Sequence, residues 1–254
     1  MTGGGLLIVS ADDWGLDAAT TDAIHECFRA GAVTSVTAMV HMSDSARAAE
    51  ISSSGGEPIG LHVNLTEAFT DAGCPEPIRA RQARVARYFA GPEWRMWGLS
   101  PRLFTTIEAC IAEQLETFRR LYGRDPTHVD GHEHVHQSLG VMFARSLPHG
   151  TKMRPSFTFM PGEKSLANRL TRVLVNRIMR IRFRVPRYFF SIRDMHPALG
   201  GEGLEHKLDL ANGHTVEVMT HPAVPDERAV LLDDEWGEHL RGRALGAYSD
   251  FAGR

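Results

Sequence analysis

The stretch LLIVSADDWGL, residues 6–16, joins a short apolar run to two adjacent acids, and it is the best guide to the fold. The apolar run Leu6–Ser10 predicts a buried strand, and a helix should follow from Asp17 to Ala30. The alternation continues through the first 65 residues, with a strand at Val33–Val40, a helix at Ser43–Ser53 and a strand at Ile59–Leu65. Alternating strands and helices are typical of a parallel α/β sheet.

The rest of the chain adds strands that leave two architectures open. Strands are predicted at the histidine-rich stretch THVDGHEHVH (residues 127–136), at Lys152–Arg154, Tyr188–Ser191 and Thr215–Thr220, and helices at 103–122, Gln137–Ser146 and Ser165–Phe183. Six or seven such strands form either an open doubly wound sheet or a barrel related to the eight-stranded (β/α) barrel. Acids or histidines stand at four strand ends, and their convergence on one rim favours the barrel. Because no G-x-G-x-x-G motif follows the first strand, nucleotide-binding folds lose support.

No repeat or linker divides the 254 residues, so the sequence predicts one domain spanning 1–254. Residues 66–100 contain prolines, glycines, Trp94, Trp97 and a basic run formed by Arg79, Arg81, Arg84 and Arg87. We predict a long loop excursion there, with one short helix at most. The basic run is either a substrate-binding loop or the solvated face of a helix. The basic segment Ser165–Phe183 is expected to pack its apolar residues on the core.

Composition argues against several classes of partner. The net charge of −3 is unlike that of a general nucleic-acid-binding protein, which is usually basic. Three irregularly spaced cysteines predict neither a disulfide framework nor a zinc ribbon, and free thiols suit a reducing cytoplasm. No stretch approaches about 18 uninterrupted apolar residues. We therefore expect no membrane partner and a cytoplasmic location.

The histidine-rich stretch points to metal chemistry. An extended strand would turn five of its side chains to one face: His128, Asp130, His132, His134 and His136. Such a face suits a metal site, either through both imidazoles of an H-x-H pair or through a single ligand. A hydrogen-bonded histidine cluster without metal is the alternative.

Other candidate groups stand at further strand ends. Asp12 and Asp13 form either a surface turn or a divided pair, in which one carboxylate ligates a metal and the other acts as general base. His62 is either a core histidine or a ligand. His221 precedes a proline at a strand end and, with an unperturbed pKa near 6.5, suits a general acid or a structural role. Arg154 ends a strand at the same rim, where it would orient Asp12 or bind substrate.

The motifs LLIVSADDWGL, VTSVTAMV, IGLHVNLTE, GRDPTHVDGHEHVH, EVMTHPA and LGAYSDF together resemble, in order, those of the YdjC-like carbohydrate deacetylase family. That family includes chitooligosaccharide deacetylases and hopanoid-biosynthesis-associated deacetylases. The resemblance is weakest at 66–100 and 156–212. It implies a distorted seven-stranded (β/α) barrel related to polysaccharide deacetylases. The chain departs from the family pattern at Trp14, commonly Phe, and at Glu133, commonly His or Asn, and both changes concern substrate identity more than chemistry.

Carried onto this chain, the resemblance implies one divalent metal ion, Mg²⁺ or Zn²⁺, held by Asp13, His62 and His132. It also implies Asp12 as the general base and His221 as the general acid. The implied reaction is hydrolysis of the N-acetyl group of an amino sugar or small N-acetylated oligosaccharide, with release of acetate. A homodimer is the implied assembly.

Two supporting roles and two alternative functions remain. Asp130 and His134 are candidates for fixing the tautomer of a ligand. Three tryptophans are candidates either for stacking on a sugar ring or for ordinary packing: Trp14, Trp94 and Trp97. The first alternative function is a metal-dependent amidohydrolase or phosphoesterase that uses an H-x-H pair. The second is a sugar-binding relative without catalysis. The presence of both Asp12 and His221 argues against it, since binding alone needs neither residue.

Overall fold

The computed structural model describes residues 4–91 and 103–253, and within these ranges six strands form a single parallel sheet. The strands are β1 (Leu6–Trp14), β2 (Ser35–Ala38), β3 (Ile59–Val63), β4 (Val129–Gly131), β5 (Tyr188–Ser191) and β6 (Thr215–Thr220). Their order across the sheet is β4-β3-β2-β1-β6-β5. Because all pairs are parallel, the carboxyl ends of the strands meet at one edge.

The helices cover the outside of this sheet. Their bounds are α1 (Ala18–Arg29), α2 (Ser45–Gly55), α3 (Glu76–Phe89), α4 (Phe104–Tyr122), α5 (Leu139–Met142), α6 (Leu166–Met179), α7 (Leu204–Asp209), α8 (Pro225–Leu231) and α9 (Asp234–Leu240). At the start of α1, the Asp17 carboxylate accepts a hydrogen bond from the Thr20 backbone N–H at 2.8 Å, as an N-cap should. No helix in the described ranges is long and apolar enough to cross a bilayer.

The two faces of the sheet differ in polarity because successive side chains of a strand point to opposite sides. Leu7, Val9 and Val218 face the helices and belong to the main hydrophobic cluster. Ser10 and Glu217 are buried on the other face, inside the curve of the sheet. The interior is therefore a polar layer enclosed by an apolar one, and it is where buried charges can meet partners.

The predicted alternation of strands and helices over the first 65 residues is confirmed, with one extension. β1 continues four residues past the predicted end at Ser10, through both acids to Trp14. Charged residues rarely lie within a buried strand unless they are paired. Asp12 meets that condition, since both of its carboxylate oxygens contact Arg154.

The histidine-rich stretch is not an extended strand as predicted. Only Val129–Gly131 is extended, and His132–Gln137 forms a short 3₁₀ turn in which Glu133 and His134 have φ of +49° and +61°. A Cβ on Gly131 would lie 2.8 Å from the Val135 Cγ2, so glycine lets the turn fold back on the strand end. The side chains beyond His132 consequently leave the common face that alternation would give them.

Two other elements differ from their predicted extents. The excursion at 66–100 contains the 14-residue helix α3, not merely a short one, and its exposed Arg84 and Arg87 favour the solvated-face interpretation of the basic run. Trp94 and Trp97 lie outside the described residues. The helix predicted at Gln137–Ser146 is reduced to α5.

Strong curvature makes the sheet a half-barrel. Strands β2 and β3 separate β1 from β4, which would place them about 14 Å apart in a flat sheet. Nevertheless, the Asp13 Oδ1 on β1 and the His132 Nδ1 just after β4 are 3.1 Å apart. The described residues form six strands where seven were expected, because Lys152–Arg154 makes only isolated bridges, to β4 on one side and to Arg184 on the other.

Candidate functional site

The two adjacent acids of β1 point in different directions. The register of β1 against β2 shifts between Ala11 and Trp14, and Asp13 has a φ of +74°. This left-handed conformation is uncommon for a residue with a side chain. It turns the Asp12 carboxylate into the interior and the Asp13 carboxylate to the partly open rim. Two neighbouring carboxylates can therefore have separate partners.

Asp13 contacts two imidazoles at this rim. Its Oδ1 lies 3.1 Å from the His132 Nδ1 and 3.4 Å from the His62 Nε2. His62 stands on β3 and His132 directly follows β4, so three chain segments contribute. Burial opposes ionisation of Asp13, but its hydrogen bond to His132 and the charges of His62 and His132 together outweigh this and lower the pKa of the carboxyl. Burial likewise lowers the pKa of His132, yet Asp13 raises it overall to about 9.

These three side chains form a donor set that fits a divalent metal ion. One ligand atom from each lies within 4.8 Å of the others, and Asp13 and His132 are only partly buried. Two imidazoles and a carboxylate suit zinc and related ions. The electrostatics agree, because the carboxylates that favour a protonated imidazole would equally favour a bound cation. A second grouping, Asp12, His62 and Asp130, is less suitable because Arg154 already contacts both of its acids.

Asp130 fixes the orientation of His62. The His62 Nδ1 lies 2.8 Å from the Asp130 Oδ1, and the other ring nitrogen faces Asp13. Burial lowers the pKa of His62, but the Asp130 carboxylate and its neighbours raise it overall. A carboxylate behind a ligating imidazole typically sets which nitrogen is free for the metal. His134, the other candidate for this role, packs its ring against Phe157 at 4.6 Å instead.

Arg154 occupies the interior below this rim and contacts three carboxylates. Its Nη1 and Nη2 each lie 2.6 Å from an oxygen of Asp12, Nη1 is 2.7 Å from Asp130, and Nε donates to Glu217 at 2.8 Å. The guanidinium is fully buried. Burial alone would raise the pKa of Asp12, but Arg154 outweighs it and holds that pKa well below its usual range. Asp12 is therefore ionised at neutral pH.

A second buried layer supports Arg154 from below. The Tyr248 hydroxyl donates to the Glu217 Oε2 at 2.5 Å, and the Tyr248 ring stacks on His128 with 3.7 Å between centroids. Gly60 makes room for this pair, since a Cβ there would overlap the His128 ring. Three carboxylates surround one guanidinium, and burial raises the pKa of Glu217 to about 7.

His221 approaches Asp12 from the opposite flank. Its Nε2 lies 4.0 Å from the Asp12 Oδ2, and about a third of its side chain is exposed. Glu227 accepts a hydrogen bond from the His221 backbone N–H at 2.7 Å and lies 3.7 Å from its Nδ1. Burial lowers the pKa of His221, but Glu227 and Asp12 raise it overall. These two carboxylates thus favour the protonated form of the imidazole.

The structure brings together all six predicted site residues: Asp12, Asp13, His62, His132, Arg154 and His221. Trp14 is fully buried and its indole N–H donates to the Ala48 carbonyl, so of its two expected roles it takes ordinary packing and not stacking on a sugar. His136 is also buried, away from the ligand groups.

Sequence reasoning missed Glu217, Tyr248 and Glu227. An acid in the middle of the apolar strand TVEVMT was a usable signal for Glu217, because an acid on a buried strand requires a cation. Glu227 lies in the first turn of α8, and Tyr248 in the C-terminal segment. Nothing in the local sequence links either one to His221 or Arg154.

Known proteins resemble this chain over most of its length. The chain is 32% identical over 234 residues to a chitooligosaccharide deacetylase of Yersinia enterocolitica, covering 87% of this chain and 83% of that protein. It is 36% identical over 175 residues to the mouse carbohydrate deacetylase, covering 64% of this chain and 52% of the mouse protein. The chain thus spans about half the length of the mammalian relatives it matches.

A solved structure shares the fold. The crystal structure of a proposed cellobiose-phosphate cleavage protein from Enterococcus faecalis superposes with a TM-score of 0.67, at 20% identity, covering 97% of this chain and 98% of that one. The model of the family described as YdjC-like protein matches residues 6–244, nearly the whole chain. The chain therefore belongs to the YdjC-like family.

Proposed function

We propose that this protein hydrolyses the N-acetyl group of an amino sugar or a small N-acetylated oligosaccharide, releasing acetate and a free amine. The names of its relatives support the deacetylase reaction and the sugar class of substrate. The observation that carries the proposal is the divergence of Asp12 and Asp13. One carboxylate joins two imidazoles, and the other lies between Arg154 and His221 at the same opening.

In this proposal Asp13, His62 and His132 hold the divalent ion, Mg²⁺ or Zn²⁺. When bound there, such an ion supplies Lewis-acid polarisation of the amide carbonyl and lowers the pKa of water. Because ligating imidazoles are neutral, His132 would release its proton on binding the ion. Asp130 orients His62 from behind, through the contact to its Nδ1.

Asp12 serves as the general base. Arg154 keeps it ionised and holds both oxygens, so that the carboxylate has a fixed direction when it takes a proton from the attacking water. Arg154 itself touches no open surface, which makes it a positioning residue. Glu217 and Tyr248 hold Arg154 in turn.

His221 serves as the general acid. It lies on the exposed side of Asp12, and Glu227 favours its protonated form. Cleavage of the C–N bond leaves an amine whose nitrogen must gain a proton as it departs. The His221 imidazolium can donate that proton. The proton that Asp12 takes from the attacking water offsets this loss, so the net charge of the two groups is unchanged.

Acetate release from N-acetylglucosamine and N,N′-diacetylchitobiose, with metal-loaded protein, tests this assignment. Asp12→Asn should retain one metal ion per chain but lose about 10²–10⁴-fold in rate, since proton transfer is removed. Asp13→Asn should lose metal and activity together. Asp125→Asn, at an exposed ion pair with Arg119, is the matched control and should keep both.

Two results would contradict the proposal. A near-normal rate for Asp12→Asn would show that another group is the base. Two ions per chain and turnover of a phosphoester or a non-sugar amide would support the H-x-H alternative, although neither His134 nor His136 joins a ligand group in the described residues. We further propose a cytoplasmic location, a homodimer, and a seventh barrel strand at Lys152–Arg154, for which the bridges on both its sides are the support.

A further inference from the structure

The outer face of α6 carries an exposed apolar strip. Leu166, Leu170, Val173 and Leu174 are each more than half exposed, and Ile181, just past the helix end, is 75% exposed. The 3.6-residue repeat of a helix places such positions along one side. The expectation that the apolar residues of this segment pack on the core is therefore wrong for these five exposed residues. Contiguous exposed apolar surface of this kind marks an interaction site.

Positive charge alone accompanies this strip. Residues 166–187 contain no acid and seven arginines: Arg169, Arg172, Arg177, Arg180, Arg182, Arg184 and Arg187. Within the described residues, arginine–carboxylate ion pairs occur elsewhere, at Arg47, Arg79, Arg119, Arg154, Arg193 and Arg243. No carboxylate of the described residues neutralises this segment, although the whole chain has a net charge of −3. Arg172 and Arg182 are partly buried and donate to protein groups, so the exposed charge comes mainly from Arg177, Arg180, Arg184 and Arg187.

A groove lies beside the strip. The groove has a volume of about 250 Å³ and is lined by Phe157, Phe159, Leu170 and Val173, together with arginines of α6. The Phe157 ring also contacts His134, two residues past the proposed ligand His132. A partner bound along α6 would consequently lie beside a groove that also borders the turn following β4.

We propose that the outer face of α6 binds the surface of an anionic lipid bilayer. The leucines would lie at the boundary of the acyl chains and the arginines among the headgroups, as in interfacial amphipathic helices. The expectation of no membrane partner considered only spanning segments, and α6 adsorbs without spanning. This inference does not depend on the proposed reaction.

Charge and polarity favour a bilayer over two other occupants. A second copy docked through the same face would place arginine-rich segments against each other, since a twofold interface pairs a surface with itself. A nucleic acid would match the arginines, but its phosphate backbone offers nothing to four exposed apolar side chains. An anionic bilayer complements both features at once.

Vesicle co-sedimentation of the full chain tests the proposal. We expect binding to phosphatidylcholine vesicles containing phosphatidylglycerol and much weaker binding to phosphatidylcholine alone. Arg177→Gln should weaken binding about fivefold, in line with the contribution of one arginine at an anionic surface. Leu170→Gln should weaken it more than tenfold by removing apolar burial. Leu232→Gln, at an exposed leucine outside α6, is the matched control and should bind normally.

Three outcomes would overturn the proposal. Equal affinity of the parent and both α6 variants would show that another surface binds lipid. Absence of vesicle binding, with Leu170→Gln converting a dimer to a monomer in light scattering, would assign the strip to a second copy. Absence of vesicle binding, with Arg177→Gln weakening the binding of an oligonucleotide, would assign it to nucleic acid. Urea unfolding of each variant shows whether it remains folded.

Discussion

Arginine has opposite surroundings in two regions of this molecule. Arg154 is fully buried, and its guanidinium contacts Asp12, Asp130 and Glu217. The seven arginines of the α6 segment contact no carboxylate in the described residues. A buried cation with three anionic partners determines the internal structure, because removing it leaves charges without compensation. Arg172 and Arg182 are partly buried and donate to groups of the protein. The exposed arginines of the segment, such as Arg177, contribute little to folding and leave their charge available to a partner.

The largest effect is expected for Arg154→Met. It should lower the free energy of unfolding by about 3–5 kcal/mol, because three buried carboxylates lose their cation. Urea unfolding followed by circular dichroism measures this loss. Arg119→Met, which breaks an exposed pair with Asp125, is the control and should cost less than about 1 kcal/mol. Similar losses of unfolding free energy in the two variants would show that the buried and the exposed arginine contribute equally to stability.

A smaller effect is expected from the pH dependence of Glu217. Burial raises its pKa from 4.5 to about 7, so between these values the folded protein keeps a proton that the unfolded chain releases. The stabilisation from this group is complete below about pH 4.5 and is lost as the pH rises to about 7. Urea unfolding at pH 5 and pH 8 should show a larger loss of stability in the parent than in Glu217→Gln, by about 1–3 kcal/mol. Equal losses would mean that Arg154 keeps Glu217 ionised throughout.

The smallest effect is expected for Arg177→Gln. Its side chain is exposed, so its replacement should change the free energy of unfolding by no more than about 0.5 kcal/mol. Urea unfolding under the conditions used for Arg154→Met gives the direct comparison. A loss above 1 kcal/mol would show that α6 arginines support the fold, and it would weaken their assignment to a surface function.

The sequence predicted the residues at the rim of the site better than the buried residues beneath it, Glu217 and Tyr248. In parallel sheets the carboxyl ends of strands share one edge, so Asp13, His62 and His132 could be placed together once the strands and the family resemblance were recognised. Glu217 and Tyr248 depend on contacts between distant segments, which no local pattern reports.

Two kinds of local conformation also escaped prediction. Alternation along THVDGHEHVH assumed an extended backbone, whereas the chain turns at Glu133 and His134 with positive φ. The apolar residues of α6 have the spacing of a core-facing helix, and periodicity alone does not tell which side of the helix the protein covers. The first error arises because alternation of residue types does not specify the backbone conformation, and the second because the spacing of side chains does not specify their environment.

The position of Arg154 has a consequence for the shape of the opening. Its guanidinium joins Asp12 on β1, Asp130 on β4 and Glu217 on β6, which are strands from different parts of the sheet. We therefore expect the length of this one side chain to limit how far β1, β4 and β6 can stand apart across the interior. A variant selected for a wider or narrower substrate would consequently need changes at Arg154 and its three carboxylate partners, because changes in the surface loops alone would leave the spacing of these strands as it is.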